Sequence, residues 1–388
     1  MHGVLHSSSC FTYSICFTYS IPETSVPRLC HFDEVCVDLL SQLALPSAAP
    51  QSRQVAAAIA RFSPEEREEM LHIAASHHVV VRCLSVLEQQ ASLEGPSGLT
   101  EWARNALAGE NARIDHALPF LDRILQELAG AGCAATTIKT LDHWPDFGSD
   151  IDLYTSASDG ILVRTFVHRL KARMEHRSWG DRLARKWNFA IPGLPELVEV
   201  HSQRLGQTGE QTMMARRFLT RRTFKTVGGY SFPVPAPEER VIVATLQRMY
   251  RHFYFRLSDI LNTAGLVDSR SIDYAELHAA ASIGGIWPGV ATYLKIVSDY
   301  VQRYRGEALP LPPEVLEAAR FGGEKLAVRK CFLRVPILPE GASLYARQVS
   351  GTALNGDVVA TLRLSLLPPL ASIAAVSYRL TGSDKGIW

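Results

Sequence analysis

Two aspartates one residue apart, Asp150 and Asp152, stand in the run Gly148-Ser149-Asp150-Ile151-Asp152-Leu153-Tyr154. In a strand successive side chains point to opposite faces, so the two carboxylates project together while Ile151 and Leu153 point into a core. Neighbouring carboxylates repel each other, and a hard divalent cation relieves the repulsion. Mg²⁺ suits the role because it takes one or two carboxylates, adds phosphate oxygens and keeps waters for the rest. A third acid is expected from Leu197-Val198-Glu199-Val200-His201, where Leu197, Glu199 and His201 share one face and Val198 and Val200 the other. Glu199 is the candidate, with His201 either beside it in the site or packed as an ordinary histidine.

These residues need elements to position them. Apolar residues at Ile114, Leu118, Leu121, Leu125 and Leu128 predict a helix over residues 99–128, which Pro119 kinks or divides. Gly130-Ala131-Gly132 ends it, and a strand then leads to Ile138-Lys139-Thr140. Alternating Trp187, Phe189 and Ile191, a Pro192-Gly193 turn and the Glu199 segment read as a hairpin. Val163, Phe166, Val167, Leu170 and Met174 predict an amphipathic helix with Arg169, Arg173 and Arg177 on its other side. Ser63-Pro64-Glu65-Glu66 is a capping-box start for a helix on which His72, His77 and His78 read as surface histidines.

The ordered set of Ile138-Lys139-Thr140, Ser149 to Leu153, Glu199-Val200-His201 and Arg256-Leu257-Ser258-Asp259-Ile260-Leu261 resembles the nucleotidyltransferase fold of the DNA polymerase beta superfamily. More narrowly it is similar to the bacterial uncharacterised nucleotidyltransferase group, whose members carry Lys-Gly, then Ser-Asp-Ile-Asp-Leu, and later Asp-Leu-His. The likeness runs from about residue 118 to residue 266. It implies an α+β fold, a small mixed nucleotidyltransferase sheet flanked by N-terminal and C-terminal helical regions. The corresponding division is an extension over 1–50 that is poorly ordered, a helical region over 51–130, a nucleotidyltransferase core over 131–232, an accessory helical domain over 233–309 and a C-terminal segment over 310–388.

The resemblance further implies a transfer of nucleoside monophosphate from an NTP to a hydroxyl of a small-molecule acceptor, with pyrophosphate released. Asp150, Asp152 and Glu199 would be the catalytic and metal-binding acids, holding two Mg²⁺ ions, and Lys139, Thr140 and Ser149 would contact the phosphates. Three features depart from the family, one of them a connection to Asp150 that is short for the narrow group. Thr140 stands where the narrow group has glycine, and in the superfamily's frame Lys139 takes the glycine position and Thr140 the serine position; a glycine there lets the backbone approach a phosphate. Glu199 replaces the usual aspartate, which lengthens its reach by one methylene. A binding or regulatory protein on a decayed transferase fold is therefore the alternative, and a modifier of tRNA or protein is a third reading.

Composition bounds the partners. The 388 residues are 47% apolar and 20% charged with a net charge of +1, ordinary for a soluble protein and without an overall drive toward nucleic acid. Seven cysteines, odd in number and scattered, form neither a disulfide framework nor a CxxC zinc site, which fits reduced thiols in a cytoplasm. The repeat Cys10-Phe-Thr-Tyr-Ser-Ile15 and Cys16-Phe-Thr-Tyr-Ser-Ile21 lacks the features of a secretory signal, and the apolar run from Leu366 is broken by Pro368-Pro369 and too short for a bilayer. Between Arg164 and Lys225 basic residues outnumber acidic ones. They read either as a solvated face or, at Arg216-Arg217 and Arg221-Arg222, as counter-charge for a triphosphate. Past residue 310, Lys330 to Val335 and Val358 to Leu366 read as β-like runs.

Overall fold

A computed structural model describes residues 27–46, 49–93 and 98–373. It has a mixed α+β architecture in which helices surround a five-stranded sheet. The sheet contains β1 (Ala135–Thr137), β2 (Asp150–Thr155), β3 (Arg173–Met174), β4 (Lys186–Ala190) and β5 (Leu197–Ser202), in the order β1-β2-β5-β4-β3. Only β2 and β5 are parallel; the other pairs run antiparallel. The parallel register sets Asp152 beside Glu199 and Ile151 beside Val198. Ile151, Leu153, Val198 and Val200 are all fully buried. A slip of one residue would turn those four side chains out and the acids into the core, so burial of the apolar face fixes where the acids stand.

The N-terminal helices are α1 (Pro27–Ala44), α2 (Ala49–Ala60), α3 (Pro64–Ser76), α4 (Val80–Leu93) and α5 (Gly98–Gly130). The expected extension over 1–50 is corrected for its described part. Cys36, Val37, Leu40 and Leu43 are buried on one side of α1, a spacing that seats a helix in the core. Residues 1–26, with the Cys10–Ile21 repeat, lie outside the described residues. The capping box at Ser63 is present: the Glu66 N–H donates to Ser63 Oγ (3.2 Å) and the Ser63 N–H to Glu66 Oε2 (2.8 Å). Of the three histidines read as surface residues only His72 is exposed. His77 and His78 follow the end of α3 and are 0% and 7% exposed. α5 runs as one helix with Pro119 inside it rather than as two.

Other predicted elements change type. Residues 159–169 are helical, but the chain leaves the helix before Arg173 and Met174, which form the edge strand β3. Arg169, Arg173 and Arg177 therefore form no helical stripe. β6 (Arg222–Val227) and β7 (Tyr230–Pro235) make a hairpin whose Gly228-Gly229 turn has φ of 56° and 83°, values that suit glycine. Past residue 310, β9 (Ala327–Arg329) and β10 (Phe332–Arg334) form a small sheet with β8 (Tyr254–Phe255), whereas Val358–Leu364 is a helix and not a strand. The β10-β8 pairing joins the C-terminal segment to the accessory helices, and one cluster of buried apolar residues extends from Cys36 to Leu344.

Candidate functional site

β2 and β5 bring Asp152, Glu199 and His201 together, with one ligand atom from each lying within 4.8 Å of the others. Asp152 and Glu199 are direct neighbours in register, and His201 follows on the same face of β5 two residues on. Asp150 shares the face with Asp152 but is not part of this cluster. The metal-capable set therefore differs from the one expected: His201 takes the place given to Asp150.

Lysines meet both acids. Lys139 Nζ pairs with Asp152 Oδ1 and lies 3.7 Å from Glu199 Oε1. Lys186 Nζ is 2.6 Å from Glu199 Oε2 and 3.6 Å from Asp181. Lys186 was not singled out from the sequence, although the Lys186-Trp187-Asn188-Phe189 alternation carries the signal. Trp187 and Phe189 are buried, which leaves Lys186 and Asn188 on the polar face opposite His201 and Glu199.

Lys139 reaches this position through an unusual backbone. Its φ of 66° and ψ of −60° form a γ-turn closed by the Thr140 N–H donating to Ile138 O at 2.8 Å. Such a conformation costs on the order of 1–3 kcal/mol for a residue with a side chain, and it persists only where its surroundings impose it. Thr140 supplies one such restraint. Its side chain is fully buried; its hydroxyl donates to Asp150 O (3.2 Å) and accepts from the Asp152 N–H (2.8 Å). Thr140 thus ties the Lys139 turn to the aspartate strand, and its hydroxyl is committed there instead of being presented to a phosphate. Ser149 is exposed, immediately before Asp150.

Burial sorts the proton affinities. Desolvation pushes the Asp152 carboxyl up to about 7 against the pull of Lys139. Asp150 is also raised, by burial and then by the negative charge of Glu199. Burial acts on Glu199 in the same direction, but Lys186, Lys139 and His201 outweigh it and hold this carboxyl well below its usual range. His201 is pushed down to about 4 by burial. Its imidazole is therefore neutral at pH 7, the form that binds metals. With Nε2–H donating to Glu199 Oε1 at 2.8 Å, Nδ1 carries a lone pair and is buried with no hydrogen-bond partner.

Two carboxylates and a neutral imidazole whose ligand atoms lie within 4.8 Å of one another fit a divalent cation. The carboxylates suit Mg²⁺ or Mn²⁺, and the imidazole favours Zn²⁺ more than an all-oxygen set would.

Of the four arginines expected as counter-charge for a triphosphate, Arg217 and Arg221 are already paired, while Arg216 and Arg222 are exposed. Arg217 donates to Glu239 Oε1 from Nε (3.0 Å) and Nη2 (2.8 Å) and also pairs with Glu276. Arg221 lies 3.0 Å from Glu238 and 3.3 Å from Glu239. Lys225 donates to Leu141 O at 2.7 Å. Glu238 and Glu239 are buried, so these arginines are internal counter-charges rather than a free anion-binding face. In the accessory helices Asp259 is likewise engaged, with Arg248 Nε at 2.7 Å and the Arg256 N–H at 2.7 Å.

Comparison with protein-family models, curated proteins and solved structures found no match to the chain. Among the described residues no helix is long and apolar enough to cross a membrane.

Proposed function

We propose that this chain is a divalent-metal-dependent nucleotidyltransferase with a DNA polymerase beta-like core, moving a nucleoside monophosphate from an NTP to a hydroxyl of a small-molecule acceptor. The observation that carries the reading is the parallel register that sets Asp152 beside Glu199 with His201 next on the same face. A divalent cation held by Asp152, Glu199 and His201, with Asp150 as a further carboxylate, would neutralise triphosphate charge and acidify an acceptor hydroxyl. Mg²⁺ is the cation implied by the resemblance; Mn²⁺ suits the same carboxylates, and the imidazole adds Zn²⁺ as a competitor.

The chain's own groups divide the remaining work. Lys139, once Asp152 is otherwise engaged, has an ammonium free to meet a phosphate oxygen. Ser149 offers its hydroxyl at the exposed start of β2. Asp150 is the better proton acceptor, because its affinity is raised while Glu199 is held ionised by two lysines and is a weak base. Thr140 holds β2 in place.

One observation favours a second reading, a metal-free binding protein on the same core. Lys139 and Lys186 already neutralise Asp152 and Glu199, whose side chains are only 14% and 13% exposed. The two readings separate in a pyrophosphate-release assay over the four common NTPs with Mg²⁺ or Mn²⁺, paired with calorimetry. Transfer requires nucleotide binding that depends on the metal, and turnover that falls at least 100-fold in Asp152→Asn. Absence of nucleotide binding with either metal selects the second reading.

A further inference from the structure

Beside Ser149, at the N-terminal ends of β2 and β5, lies a cavity of about 300 Å³, at the lower end of the range that small-molecule sites occupy. Arg113 organises its polar wall. It donates to both oxygens of Glu110 (2.7 and 3.0 Å) and to Glu196 Oε1 at 2.6 Å. Glu196 is only 5% exposed, and its Oε2 is buried with no partner. His78, 7% exposed and kept neutral by burial, also lines the cavity, and its Nδ1 is buried with no partner. One guanidinium against two carboxylates leaves a net charge of −1. A buried carboxylate oxygen without a donor is costly and calls for one. Phe147 and Val80 give the cavity an apolar side.

We infer that this cavity binds a small molecule through a protonated amine, which Glu196 receives by turning its unpartnered, buried Oε2 into the cavity, while the carbon skeleton lies against Phe147. The position says what that molecule does. Glu196 precedes Leu197, which pairs with Asp150, and Ser149 precedes Asp150 itself. Asp152 is three residues along β2 from Ser149, roughly 10 Å at about 3.3 Å per residue. By strand alternation Ser149 and Glu196 stand on the side of Ile151 and Val198, so a molecule anchored by its amine in the cavity must bend round the start of β2 to bring a hydroxyl to the acids. Naming it as the acceptor rests on the transferase reading; the amine site itself does not.

The test is calorimetric, on the full chain in an amine-free buffer. It uses matched probes that differ by an amine: glucosamine against glucose, 2-aminoethanol against ethylene glycol, and putrescine against 1,4-butanediol. At least one amine is expected to bind at least tenfold more tightly than its neutral partner. That preference should disappear in Glu196→Gln. Ala75→Trp, at an exposed position on the cavity wall, blocks the space without touching the Arg113 ion pairs and should abolish binding even if Glu196→Gln folds poorly. Asp152→Asn should bind the amine as the unaltered chain does. Equal binding of amine and neutral partner in all three pairs, binding by none of the amines, or binding that survives Ala75→Trp overturns the inference. Amine binding without pyrophosphate release from any NTP keeps the cavity's role and removes the transferase reading. Turnover on neutral acceptors with no amine preference does the reverse.

Discussion

Lys139 is where the two functional readings meet, because its ammonium sits against Asp152 where a cation would also be favoured. Removing one partner from a largely desolvated ion pair leaves the other charge uncompensated, at a cost of about 3–5 kcal/mol. Lys139→Met is therefore expected to lower the melting temperature in EDTA. If the acids hold a divalent ion, Mn²⁺ should restore most of that loss, and the variant should bind Mn²⁺ more tightly than the unaltered chain does, since the competing ammonium is gone. Melting curves with EDTA and with MnCl₂ check both points, and a loss that no divalent ion repairs would leave the lysine as the site's permanent counter-ion. Thr140→Val tests a different role. It keeps the shape but deprives the Asp152 N–H of its acceptor, at an expected cost of about 1–3 kcal/mol. Its effect should fall on stability, with nucleotide affinity changed less than in Lys139→Met. The alternation around Asp150 and Glu199 was readable because strand periodicity alone sets which side chains share a face. The commitment of the Thr140 hydroxyl was not, because it depends on a γ-turn that an ordinary residue adopts only when its surroundings impose it.

At the scale of elements, the sheet's order decides which residues meet. A β2 strand, a β4-β5 hairpin and a helix before β1 were all legible from periodicity and turn residues. The parallel pairing of β2 with β5 was not, since it joins segments separated in sequence and is selected by burial of Ile151, Leu153, Val198 and Val200. The apolar spacing of α1 marks a helix where an extension is expected, Val358–Leu364 reads with a strand's period yet folds as a helix, and Arg217 and Arg221 read as part of a free basic face because their partners lie on later helices. Arg217 shows the consequence. Its partner Glu239 is fully buried, with a proton affinity raised by burial and held back by Arg217 and Arg221. Arg217→Ala should destabilise the chain by about 3–5 kcal/mol, as breaking a buried pair does, read from the urea midpoint. Arg216→Ala should leave that midpoint within about 0.5 kcal/mol, the usual range for a surface change. Equal, small effects from both would return the segment to the status of a solvated face.

Across the whole molecule, His77 ties three distant parts of the chain together. It follows α3, accepts the Leu257 N–H on Nδ1 at 2.9 Å, and through Nε2 meets Cys331 O at 2.6 Å beside the small C-terminal sheet. This pattern admits only the neutral ring, with Nε2 donating and Nδ1 accepting; protonation would set an N–H against the Leu257 N–H. Burial accordingly pushes the His77 pKa down to about 4 from 6.5. The unfolded chain then binds more protons than the folded one between those values, so the His77 contribution is fully present above pH 6.5 and is lost as pH falls through 4. Over about 2.5 units at about 1.36 kcal/mol each, the loss is on the order of 3 kcal/mol. Asp146 acts in the opposite sense. Its carboxyl caps α4 through the Val81 and Arg82 N–H groups, yet burial raises it from 3.8 to about 7, so its contribution is present below 3.8 and lost as pH rises through 7. The two windows overlap and nearly cancel in the intact chain, so a plain acid titration hides both. They separate in variants measured by urea denaturation from pH 7 to pH 4. The stability gap between the unaltered chain and His77→Gln should shrink by on the order of 3 kcal/mol as pH falls, because only the unaltered chain carries the penalty of charging the ring. The gap measured against Asp146→Asn should move the other way, in favour of the unaltered chain at low pH. Parallel curves for His77→Gln and the unaltered chain would mean that the ring is charged in the folded state without penalty, and that the three-way junction is held by something other than its neutral tautomer.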